Sequence, residues 1–197
     1  MKLSNAFSNT LISNRKSIIN LISILVVLGT VVELLAGIWD ATSHLMREPE
    51  LFWTIQHIAV YTGVGMITFS AILSSLILNI NSQNSSIKKG LKIIIIGTSL
   101  QIIAGYADSI SHETYGVDGL VTISHLVLET GLLLSAIGGF LLLSNDTKTR
   151  RKIIIKLAIL SILLSSTWLG FNFILLFAPV ALCLPVYEAF SSGCAVL

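Results

Sequence analysis

Five apolar runs, each about twenty residues or longer and separated by short polar links, take up most of this 197-residue chain. A run of roughly 20 apolar residues is what an α-helix needs to cross a ~30 Å hydrocarbon core. The runs are continuous rather than alternating apolar and polar, which argues against a membrane β-barrel. Composition agrees: 54% of residues are hydrophobic and 11% charged, where soluble domains carry about 25% charged residues. The expected fold is all-α, a polytopic helical bundle forming a single membrane domain over 1–197. Its transmembrane helices are expected over about 18–44, 50–80, 90–112, 119–143 and 153–178.

The links orient the bundle. Lys2, Arg15 and Lys16 precede the first run, which is too long for the apolar core of a secretory signal and reads as a retained helix. Lys88, Lys89 and Lys92 mark the second link, and Lys148, Arg150, Arg151, Lys152 and Lys156 mark the fourth. The turn after the first helix holds only Arg47, and the turn after the third holds no basic residue. By the positive-inside rule the N-terminus lies inside the cell membrane and the C-terminus outside. Pro49, with Glu48 and Glu50 around it, suits the opening turn of the second helix. The lipid bilayer is the main expected partner. No basic patch with interleaved aromatics points to nucleic acid. Cys183 and Cys194 form no Cys-x-x-Cys motif and establish no disulfide by themselves.

Within this apolar frame one polar pattern occurs twice. Asp40-x3-His44-x12-His57 recurs 68 positions later as Asp108-x3-His112-x12-His125, and these are the four histidines of the chain. Between Gly29 and Gly63, twelve of thirty-five positions are identical in the second copy. The repeat pairs helices 1–2 (18–80) with helices 3–4 (90–143). Both copies start from the same side, so the halves are expected to be parallel, related by an axis along the membrane normal, with helix 5 (153–178) as an addition. Both triads then fall near the outer face.

The spacing carries chemistry. Residues four apart share a helix face, which pairs Asp40 with His44 and Asp108 with His112. In an antiparallel hairpin His57 and His125 come to a similar depth on the following helix. Two imidazoles and a carboxylate form a transition-metal ligand set. Taken singly, each histidine has a plainer reading, as a helix C-terminal cap or an interhelical hydrogen bond. A carboxylate inside a transmembrane run is costly and usually functional, and two copies at one spacing strengthen the metal reading. Glu33, seven residues before Asp40, and Glu129, four after His125, could back the ligands or pass protons, or simply bond a neighbouring helix. Trp168 and Asn172 read as packing and an interhelical hydrogen bond. Gly29, Gly37, Gly63 and their repeat partners read as points of close helix contact.

Asp-x3-His-x12-His across a transmembrane hairpin resembles the C subunit of the copper membrane monooxygenases, the particulate methane and ammonia monooxygenases. Asp40, His44 and His57 match the Asp-His-His set that binds copper in that subunit. His112 and His125 correspond to its second, related set, with Asp108 standing where the family has Asn. The resemblance spans about residues 29–131 and implies a divergent relative: a copper-binding component, with other membrane subunits as partners. Zinc or non-haem iron also suits such a ligand set, while haem ligation by paired histidines leaves both aspartates unexplained. A non-catalytic accessory subunit, a metal-handling protein and a transporter are the competing readings.

Overall fold

A computed structural model of the chain describes residues 13–45, 53–78, 84–115, 122–144 and 152–177. Among the described residues there are five helices, α1 (Arg15–Leu45), α2 (Ile55–Leu78), α3 (Ser85–Tyr115), α4 (Ile123–Ser144) and α5 (Lys152–Phe177). All five are long and apolar enough to cross a membrane, and no strand occurs among the described residues. The architecture is that of an all-α, multi-pass membrane protein. The shortest helix, α4 with 22 residues, is about 33 Å long at a rise of ~1.5 Å per residue.

The helix starts differ from the sequence reading for a local reason. Thr54 and Thr122 are N-caps: Thr54 Oγ1 accepts the backbone N–H of His57 at 3.3 Å, and Thr122 Oγ1 accepts that of His125 at 3.2 Å. Helix α2 therefore begins at Ile55 rather than near 50, and α4 at Ile123 rather than near 119. His57 and His125 sit in the first turn of their helices. Helix α3 begins earlier than expected, at Ser85. The polar Ser85-Ser86-Ile87-Lys88-Lys89 stretch is helical, with Asn84 Oδ1 accepting the Ser86 N–H at 3.4 Å. The turn around Pro49 and both cysteines lie outside the described residues.

Helices α1 and α2 pack as one hairpin and α3 and α4 as another. The hairpins join through α2 on α3 and α1 on α4, so the four helices form a ring. Helix α5 lies outside it, against α4 and α1. Its buried residues Ala158, Ser161, Ser165, Leu169 and Asn172 fall three or four apart, which is one helical stripe, as a peripheral helix requires. The opposite side of α5 exposes apolar residues, among them Leu160, Leu163, Phe171 and Ile174, as a lipid-facing surface should. Ser161 Oγ donates to Thr30 Oγ1 of α1 at 3.0 Å and pins α5 to the ring.

Both hairpins close on glycine. A Cβ built on Gly63 would stand 2.7 Å from the Gly29 carbonyl oxygen, and one on Gly131 would stand 2.6 Å from that of Gly97. Lipid tails are as apolar as leucine, so membrane helices associate through such close backbone packing rather than through hydrophobic burial. Gly37 departs from this expectation. The space where its Cβ would lie holds no atom within 4 Å, because a cavity lies beside it.

Candidate functional site

The two Asp–His pairs meet across their hairpins. Asp40 Oδ1 of α1 is 3.4 Å from His57 Nε2 of α2, and Asp108 Oδ1 of α3 is 3.3 Å from His125 Nε2 of α4. The N-caps help place the imidazoles, since each histidine's own N–H is held by its threonine. The surroundings of the pairs differ. Ser124 Oγ donates to Asp108 Oδ1 at 3.2 Å. At the matching position of the first half, Gln56 Nε2 donates instead to Ser43 Oγ at 2.8 Å. Asp108 is buried, Asp40 half-buried.

Sequence spacing presents the triads as two separate sites, but the structure brings their described members together. Asp40, His57, Asp108 and His125 all line one cavity of about 80 Å³, large enough to hold water. Glu33, Glu129 and Trp168 line it too, and among the described residues no lysine or arginine does. Glu33 is buried, with Oε2 accepting from Gln101 Nε2 at 3.2 Å and Oε1 without a hydrogen-bond partner. Glu129 accepts from Asn172 Nδ2, and its Oε2 has no hydrogen-bond partner. The expected interhelical bond of Asn172 is thus present, and Trp168 lines the cavity with Glu129.

A difference between the two halves of the sequence accounts for the cavity's position. Tyr61 of α2 lies against Gly105 of α3, where an added Cβ would stand 2.9 Å from the ring, and its hydroxyl donates to the Gly105 carbonyl at 3.3 Å. The positions equivalent to these two are Glu129 and Gly37. A short carboxylate replaces the ring there, and the space beside Gly37 stays open.

His44 and His112 belong to the helical ends of α1 and α3, but their side chains lie outside the described residues. Among the described residues no group of three His, Cys, Asp or Glu side chains could hold a metal ion. The two described ligands of each triad still fit one. At metal–ligand distances of about 2.0–2.2 Å, neighbouring donors of a tetrahedral site stand roughly 3.3–3.6 Å apart, and the Asp–His separations are 3.4 and 3.3 Å. The same separations suit a hydrogen-bonded ion pair.

Thr54, Thr122, Ser124 and Tyr61 were not singled out by the motif. The two threonines carried a usable signal, being identical at the 68-residue spacing and of N-cap type. Comparison with protein-family models, with curated proteins and with solved structures gives no match.

Proposed function

We propose that this chain is an integral membrane metal-binding protein. Asp40 and His57 hold one ion with His44 completing the set, and Asp108 and His125 hold a second with His112. The observation that carries this reading is the pair of Asp–His contacts at 3.4 and 3.3 Å on a shared cavity. The cavity supports it electrostatically. Four carboxyl groups line it, a concentration of negative charge that a bound cation would help to offset. Copper is favoured by the resemblance to the monooxygenase C subunit and by its affinity for nitrogen donors; zinc and iron are the alternatives. A bound metal would supply Lewis-acid or redox chemistry. The chain's own part is to orient the ligands through the Thr54 and Thr122 caps and to surround them with apolar residues. Glu33 and Glu129 offer unpartnered oxygens at which protons can be held. The positive-inside pattern of the links supports a position of the sites near the outer face of the cell membrane.

Metal analysis of the purified protein against Asp40→Ala/Asp108→Ala tests the proposal. About two ions per chain, lost in the variant, are expected from the two ligand sets. Equal content in a folded variant would reject the triads as ligands. The resemblance extends the reading to a C-subunit-like component of a copper-dependent monooxygenase complex. The alternative is a non-catalytic accessory subunit, metal-handling protein or transporter. Co-purification with other membrane subunits supports a place in a complex, and metal uptake into liposomes supports transport.

A further inference from the structure

Tyr61 lines the inner cavity and also a second depression, and no other described residue is shared by the two. The second depression is a groove of about 430 Å³ along the α2–α3 seam, lined by Trp53, Tyr61, Val64, Gln101, Tyr106 and Glu113 among others. Its α3 residues run from Gln101 to Glu113, about 18 Å at ~1.5 Å per residue. Tyr106 and Ile102 are exposed, so the groove opens sideways toward lipid.

The groove is graded along its length. Trp53 and Glu113 stand where α2 begins and α3 ends, and Glu113 is the one charged residue among the described lining residues. Val64 and Ile102 supply apolar walls further along, and Gln101 forms the inner end. Gln101 is fully buried. Its Nε2 is committed to Glu33, while its Oε1 has no hydrogen-bond partner. At this depth an unpaired acceptor is costly, and an acyl chain has no donor to offer it. Three aromatic residues on the walls favour a flat, ring-bearing body.

From these features we infer that the groove is a binding site for an uncharged, membrane-dissolved molecule carrying a ring system and a hydroxyl group. The hydroxyl donates to Gln101 Oε1 once the ligand has displaced the side chains that cover that atom, and the ring lies against Tyr106, Ile102 and Val64. Gln101 then bonds the ligand with one end of its amide and Glu33, a cavity residue, with the other. Tyr61 is the wall between the ligand and the cavity. This site does not depend on the metal reading and is present in metal-free protein.

Photolabelling in proteoliposomes tests it, with 4-hydroxybenzophenone and unsubstituted benzophenone as probes on metal-free protein. Label on Val64, Ile102 and Tyr106 is mapped by peptide mass spectrometry. It is expressed relative to label on Phe171 and Ile174, exposed residues of α5 that report partitioning into the bilayer. The hydroxylated probe is expected to give a several-fold higher ratio. Ile102→Trp fills the groove from its lipid side and leaves the Gln101–Glu33 bond in place, and it should abolish that excess. Gln101→Leu should do the same. Equal ratios for the two probes, or an excess that survives Ile102→Trp, would overturn the proposal whether or not Gln101→Leu folds.

Discussion

Gln101 Nε2 donates to Glu33 Oε2 across 3.2 Å, joining two residues that hold the same place in the two halves of the sequence. Helices α1 and α3 are not among the closely packed pairs, so this bond crosses the middle of the ring. The difference between the halves matters here. Two glutamates facing each other would offer no donor when ionised, whereas a glutamine opposite a glutamate supplies one.

Gln101→Leu removes that donor and leaves Glu33 buried without a protein partner. We expect a loss of about 1–3 kcal/mol, read as a lower unfolding midpoint in detergent. Adding Glu33→Leu should recover most of it, because both polar groups then disappear together. Purely additive losses in the double-mutant cycle would show that the two are not coupled.

Gly63→Ala and Gly131→Ala should each force a hairpin apart, since the new methyl would meet a carbonyl oxygen at 2.7 and 2.6 Å. The expected loss is about 1–3 kcal/mol, as for overpacked cores. Gly65→Ala is the control. It has open space around its Cβ position, and it should be neutral or stabilising by up to about 1 kcal/mol through helix propensity. Thermal unfolding of the three variants checks this ordering, and a destabilised Gly65→Ala would contradict it.

Glu129→Tyr places in the second half the residue that the first half carries at Tyr61. The ring should occupy the space beside Gly37 and close the cavity. Expected results are altered fluorescence from Trp168, which lines the same cavity as Glu129, and a fall in retained metal. Unchanged metal content together with changed fluorescence would place the ions away from this cavity.

Thr54→Ala and Thr122→Ala remove the N-caps of α2 and α4. Each should cost about 0.5–2 kcal/mol. Because the capped N–H groups belong to His57 and His125, metal affinity should also weaken, on the order of tenfold or more, as for lost ligand support. Chelator competition against the purified variants measures it. Thr68→Ala, on α2 away from the histidines, should leave affinity unchanged.

Much of the fold was legible in the chain. The number and order of helices follow from hydropathy, which adds up locally along the sequence, and the described helices match the five runs. Boundaries were less legible. Pro49 drew the start of the second helix toward 50, while Thr54, a better cap, sets it at Ile55. At the site, the pairing of Asp40 with His57 and of Asp108 with His125 could be read from hairpin geometry. Gly37 was misread as a contact glycine, because the residue that would have packed on it is Glu129 rather than a tyrosine. That substitution is visible only once the positions are known to face each other.

The sequence by itself determined a five-helix membrane protein with two Asp–His pairs at the ends of its hairpins, because a bilayer admits long apolar runs only as hydrogen-bonded helices. The tertiary structure alone decided that both pairs open on one cavity, that α5 covers the α1–α4 side, and that Glu33 finds Gln101 across the ring. A helix that is apolar all round carries no stripe to mark its inner face. Rotation and neighbour are set by the fit of small residues such as Gly63 and Gly131, which acts between helices rather than along one.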